Sequence, residues 1–266
     1  MASDKLTSSI DAALAQRLQN ALIAGEEVIF QVIADPDMEV LRTVLKNPRL
    51  DESHLLVLLR RRDLSEDLVR AISRLPQVAE SHRLKVAIAY NHNVPGPVFQ
   101  SFLPNLHLFE LVSFCYLPGA TADQKLAAER AVLQRLPSTP LGNKITLARR
   151  GTATIVGALL REGDPTLTEV CLFNPRLKES DIYSFLNGPT VTAETISAVA
   201  RNPRWQARLN IKLAVLKNQR TPIVWFSVIL PKLSTGEIRK LLLSRMFAGA
   251  RKDEIEKELK RRGAAR

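Results

Sequence analysis

Shifted by 127 residues, the chain matches itself. Between residues 44–106 and 171–233, 19 of 63 gap-free pairs are identical, among them Asn47, Pro48, Arg49, Leu50, Glu52, Ser53, Asn91, Pro95, Leu103 and Pro104. Random pairing gives about four at ordinary residue frequencies. Upstream, Val28, Ile29, Val32 and Ile33 fall on Ile155, Val156, Leu159 and Leu160, the i, i+1, i+4, i+5 spacing of one helix face. A small length change near Asp35 breaks the register. The expected organisation is two halves related by tandem duplication, at 1–127 and 128–250, followed by a charged C-terminal helix or tail at 251–266.

Within each half, segments of helical periodicity alternate with proline turns at Asn47-Pro48, Leu75-Pro76, Val94-Pro95, Leu117-Pro118, Asn174-Pro175, Asn202-Pro203 and Thr221-Pro222. A proline excludes its predecessor from the α region and suits the first turn of the next helix. Asp51, Ser65, Thr121 and Thr192 stand where side-chain oxygens cap new helices. Aromatics are only 5 % of the chain, and β-branched runs are missing. These features predict an all-α fold, an α-solenoid of short antiparallel helices with none longer than about four turns. The apolar run Ile223–Leu230 is far shorter than the roughly 20 residues of a membrane span and reads as a buried short helix.

The stretches Asn47-Pro-Arg-Leu-Asp-Glu-Ser-His-Leu-Leu, Asn93-Val-Pro-Gly-Pro-Val-Phe and Asn174-Pro-Arg-Leu-Lys-Glu-Ser-Asp-Ile resemble the variant leucine-rich repeat, an Asn-Pro turn followed by a short helix, related in architecture to HEAT-like repeats. The resemblance covers about residues 38–233 and implies a fold rather than an activity. Some members of that family hold an iron–sulfur centre in a cysteine cluster ahead of the repeats. With only Cys115 and Cys171, this chain has no such cluster, and the resemblance implies no cofactor.

Charge is distributed unevenly. The chain carries 38 basic and 27 acidic residues, but residues 201–266 alone hold 17 basic against 5 acidic. Residues 201–252 hold twelve basic side chains and one acid, Glu237, whereas residues 74–125 hold four and three. The first copy folds without the extra charges, so packing is expected not to require them. Arg201, Arg204, Arg208, Lys212, Lys217, Arg220, Lys232, Arg239, Lys240 and Arg245 are the predicted partner-binding residues. Arg204, Arg208 and Lys212 are expected to form a ridge on one helix whose apolar face is Trp205, Leu209, Leu213 and Leu216. The tail from Arg251 onward reads as an exposed helix laced by i,i+4 ion pairs.

Catalytic patterns are missing. His54, His82, His92 and His107 lie on different segments without an acid or cysteine at metal-ligand spacing, so no metal site is expected. There is no phosphate-binding loop and no Gly-x-Ser-x-Gly elbow. Trp205 and Trp225 lie in the basic region without a neighbouring carboxylate and read as core residues rather than a base-reading site. Met1–Ser9 carries Asp4 and no apolar core, unlike a secretory signal, and two cysteines suit a cytoplasmic protein with reduced thiols. The expectation is a non-catalytic scaffold whose basic surface meets an acidic protein partner. Nucleic acid is the alternative, and an anionic membrane surface is a weaker one.

Overall fold

The computed structural model describes residues 2–244 and 246–263, with side chains from residue 12 onward. Among these residues there are about twenty short helices and no strands. They divide into two compact units, 1–132 and 133–266. The first unit contains α1 (Ala2–Ile23), α2 (Glu26–Val32), α3 (Met38–Val44), α4 (Glu52–Leu58), α5 (Glu66–Ile72), α6 (Pro76–Glu80), α7 (His82–Tyr90), α8 (Gly96–Phe102), α9 (Leu108–Phe114) and most of α10 (Ala122–Arg135). The second contains α11 (Leu141–Arg150), α12 (Ala153–Arg161), α13 (Pro165–Phe173), α14 (Glu179–Leu186), α15 (Ala193–Arg201), α16 (Pro203–Gln206), α17 (Leu209–Lys217), α18 (Val224–Ile229), α19 (Thr235–Leu243) and α20 (Ala250–Arg261).

Each unit is two rows of helices. In the first, α1 packs on α3 and α3 on α5, while α2 packs on α4 and α4 on α7. In the second, α11, α13 and α15 form one row and α12, α14 and α17 the other. The apolar core lies between the rows, with Ile29, Leu41, Leu55 and Leu68 buried in one unit and Ile155, Leu159, Ile182 and Ile196 in the other. The predicted caps form: Asp51, Ser65 and Thr192 accept the backbone N–H three residues on, and Thr121 accepts that of Gln124.

The last carbonyls of short helices such as α3, α4 and α5 are taken by backbone N–H groups of the turn that follows, Asn47 on Val44, Arg60 on Val57, Arg61 on Leu58 and Leu75 on Ile72, but the carbonyls of the turns themselves need other donors. Buried, each unmade bond costs about 1–3 kcal/mol. Side chains about 25–30 residues later donate to turn carbonyls and to carbonyls at the ends of α1, α11 and α14. Asn47 Nδ2 donates to the carbonyls of Ala21 and Ala24, and Asn174 Nδ2 to those of Ala148 and Arg149. Asn91 reaches Leu59 and Arg61, and Asn218 reaches Leu186. In each case the Asn Oδ1 also accepts the N–H two residues on, at 2.7–3.0 Å, fixing its own turn.

Arginines do the same work, so packing uses some of these side chains as donors without requiring their charge. Arg204 donates to the carbonyls of Asn174, Pro175 and Leu177 and lies 4.3 Å from the centroid of Trp205. At the position 127 earlier, Gln77 donates to Leu50, the counterpart of Leu177. Arg220 donates to Pro189 and Val191, and Asn93 to their counterparts Arg62 and Leu64. Arg251 donates to Gln219 and Thr221, where Gln124 donates to Val94. A neutral amide suffices at all three places, but the donor itself is required.

Four expectations change. Residues 2–23 form one 22-residue helix, longer than four turns, since no proline or glycine interrupts them. The expected ridge helix is two helices: α16 ends and Arg208, in extended conformation, begins α17. The buried face of α17 is Ile211, Ala214, Val215 and Leu216, while Leu209 is 44 % exposed. Arg208 has no capping oxygen, unlike Ser81 at the paired position, so its sequence carries no start signal. The run Ile223–Leu230 is amphipathic rather than buried: Phe226, Ile229 and Leu230 face the core, while Ile223, Val224 and Val228 are exposed. Finally, α20 is docked on α18 and α19 through Ile255 and Leu259, and Arg262 donates to the carbonyls of Leu230, Pro231 and Leu233.

The donor requirement predicts a split between substitutions. Arg204→Ala and Arg220→Ala each lower the unfolding free energy by about 0.5–1.5 kcal/mol, whereas R204Q and R220N, which install the paired residues, retain most of the stability. Chemical denaturation of the four variants measures this.

Candidate functional site

The ten predicted residues separate by what their side chains meet. Arg204 and Arg220 are engaged by turn carbonyls, as above. Arg245 lies outside the described residues. Arg208, Lys212 and Lys217 belong to the start and body of α17, and Arg239 and Lys240 to α19. Arg201 ends α15 in the opposite row, and Lys232 lies in the short turn after α18. Thus five of the ten belong to α17 and α19, and of these Lys212 and Lys240 act on the same acid, Glu237.

Among the described residues, Arg208, Lys217 and Lys232 are exposed, and their side chains make no hydrogen bond or ion pair. Lys212 and Lys240 surround Glu237. The hydrogen bonds from the Ser234 backbone and hydroxyl hold the Glu237 carboxyl below the usual carboxylate range, and the two lysines add to this. The lone acid of the basic stretch is therefore the capping residue of α19, where its Oε2 accepts the Ser234 N–H at 2.7 Å.

A groove of about 600 Å³ runs between α14 and α17, lined by Glu179, Tyr183, Ser184, Asn210, Leu213 and Lys217. Tyr183 is 51 % exposed beside Lys217. Glu179 accepts from Asn210 Nδ2 at 3.1 Å and so forms part of the wall. The first unit has a smaller groove of about 360 Å³ lined at paired positions by Leu56, Arg83, Ala87 and Tyr90, and also by Arg60 and Arg62. Burial, then the charge of Glu110, pushes the Tyr90 hydroxyl up to about 12, and it donates to the Glu110 carbonyl. Counting charge along the chain misses Arg60 and Arg62, because nearby acids such as Asp63, Glu66 and Asp67 cancel them in the sum. Only the turn after α4 turns these arginines toward a groove.

Charges of the last helix are largely paired internally. Lys252 meets Glu256, Lys257 meets Glu254, and Arg261 and Arg262 both bind Glu258 at 2.6–2.7 Å. Glu258 is 7 % exposed. The Arg261 hydrogen bond leads in holding its carboxyl low, burial opposes it, and Arg262 assists.

The thiols offer no reactive centre. Burial pushes Cys115 up to about 11 and Cys171 up to about 12, keeping both protonated. Trp205 is buried and donates to the Leu172 carbonyl at 2.9 Å, and Trp225 donates to Ser197 Oγ.

The histidines depart from their reading as unrelated residues. The fold brings His82, at the start of α7, to His107 and Glu110, at the start of α9. One ligand atom from each lies within 4.8 Å of the other two. His82 Nε2 is 2.9 Å from Glu110 Oε1, and the two imidazole centroids are 4.2 Å apart. Residue spacing gives no sign of this, since 25 residues and an entire helix separate the rings.

No helix among the described residues is long and apolar enough to cross a membrane. Comparisons with protein-family models, with curated proteins and with solved structures give no significant match in any of the three.

The Glu258 arrangement sets a pH dependence. A carboxylate with a depressed folded-state pKa stabilises the fold above its unfolded value, and this contribution is lost as pH falls through the lower, folded value. Wild type is expected to lose urea resistance between pH 5 and acid more steeply than Glu258→Gln, which is weaker at neutral pH and flatter below about pH 4. Urea midpoints across that range check it.

Proposed function

We propose that the two units are tandem copies of one α-solenoid scaffold, of the kind the variant leucine-rich and HEAT-like repeats represent, and that the second copy binds an acidic protein partner without catalysing a reaction. Support for the duplication comes from paired hydrogen bonds: Asn47 with Asn174, Asn91 with Asn218, and the Gln77/Arg204, Asn93/Arg220 and Gln124/Arg251 pairs reach carbonyls at the same 127-residue offset.

One observation carries the binding reading. The side chains of Arg208, Lys217 and Lys232 are exposed cations with no hydrogen bond or ion pair among the described residues, their paired positions hold Ser81, Tyr90 and Asn105, and Lys240, exposed beside Glu237, is paired with Ser113. Like charges gathered on one stretch repel, so the fold gains nothing from them. A surface that tolerates this repulsion has a use for positive charge, and carboxylates of a partner relieve it on contact. Extended helical faces recognise partners through such complementarity and need no special chemistry.

A second reading rests on Tyr183. An exposed aromatic beside Lys217 in an open groove suits a stacked base next to a phosphate, so single-stranded nucleic acid is the alternative ligand.

The variant R208S/K217Y/K232N/K240S carries the first copy's residues at all four positions. It is expected to keep the helical circular dichroism and to lose the acidic proteins that wild type captures at low salt. Equal capture by both chains overturns the reading. Filter binding of a single-stranded oligonucleotide at two salt concentrations separates the alternative, which requires an affinity falling with a log–log slope of several.

A further inference from the structure

We infer that His82, His107 and Glu110 form a binding site for a first-row divalent transition ion of the zinc class, independent of the basic surface. Two imidazole nitrogens and one carboxylate oxygen are a recurrent three-residue zinc set, which leaves a fourth position open for water. Nitrogen ligands disfavour magnesium and calcium, which take oxygen. In a tetrahedral site with metal–nitrogen bonds of about 2.0 Å, ligand atoms sit about 3.3 Å apart. The three donor atoms already lie within 4.8 Å of one another, and the His82–Glu110 pair is at 2.9 Å. A bound ion would draw the remaining donors closer by up to about 1.5 Å. His107 is exposed and the other two are half-buried, so the site opens to solvent.

The backbone holding these groups is fixed from both sides. Ser81 Oγ accepts the Leu84 N–H and sets the first turn of α7. Glu110 Oε2 accepts the His107 N–H at 2.7 Å and sets the first turn of α9, leaving Oε1 turned toward His82. A carboxylate so anchored presents its second oxygen with little freedom left to lose.

The second unit shows which part of this the fold needs. At positions 127 later stand Leu209, Ser234 and Glu237. Glu237 Oε2 accepts the Ser234 N–H at 2.7 Å, the same bond at the same length. The acid therefore belongs to the helix cap in both units, and a serine serves in place of His107. Neither imidazole is required for the local structure. Two separate elements each supply one, and both converge on the free oxygen of the capping glutamate.

Binding of Zn²⁺ to the chelator-stripped full chain, measured by competition with a chromophoric chelator, tests the site, and Co²⁺ visible absorption reports its geometry. Wild type is expected to bind one equivalent and to give the intense d–d bands of a tetrahedral ion. H82L and H107S, which install the paired residues, are expected to melt as wild type does without metal, and to bind at least about tenfold more weakly. Zn²⁺ raises the melting temperature of wild type but not of the double variant. Binding that survives in the double variant, or a wild type that takes up no Zn²⁺ against the competitor, overturns the inference.

Discussion

Turns between short helices leave many backbone carbonyls outside any helical ladder, and the packing of this chain depends on how they are paired. The N–H groups of the following turn take the last carbonyls of helices such as α4 and α5, but the turn carbonyls themselves need donors from elsewhere. The answer is a donor placed on the turn one helical pair later: the amide of Asn47, Asn91, Asn174 or Asn218, joined by Gln77, Asn93, Arg61, Arg204 or Arg220. These bonds tie each helical pair to the one before it. They complement the apolar core of each unit, which is non-directional, and so fix register where hydrophobic burial alone does not.

This requirement divides the positive charge of the second unit into two populations. Arg204, Arg220 and Arg251 are donors first and cations second, since amides make the same bonds 127 residues earlier. The guanidinium has an added merit at the first of these. Gln77 leaves its own Oε1 buried without a partner among the described residues, whereas arginine has no acceptor to leave unsatisfied. Arg208, Lys217, Lys232 and Lys240 form the other population, exposed and unneeded by the packing. A charge count treats both alike, and only the hydrogen bonds distinguish them.

The same pairing of positions isolates the histidine cluster. Glutamate caps α9 and α19 identically, but only at α9 do imidazoles gather around its second oxygen. At positions 127 apart the two units therefore differ in kind, with imidazoles beside the glutamate in one and surface cations in the other. A groove between neighbouring helices persists in both, bordered by Arg60, Arg62 and Arg83 in one and by Lys217 in the other.

The helical class, most helix starts and the Asn-Pro turns are legible in the residues alone. Proline geometry, capping oxygens and 3.6-residue periodicity are local properties that act within a few residues of where they are written. The buried character of Trp205 is legible too, through its apolar neighbours, as is the excess of charge after residue 200. The break at Arg208 was hidden because an arginine cannot announce a cap. The half-exposed face of α18 was hidden because an unbroken apolar run has no period to read. Which cations serve carbonyls, and which histidines meet a glutamate, was decided only by tertiary structure. Those contacts join residues about 30 apart across a turn, and their geometry depends on how one helical pair rests on the next.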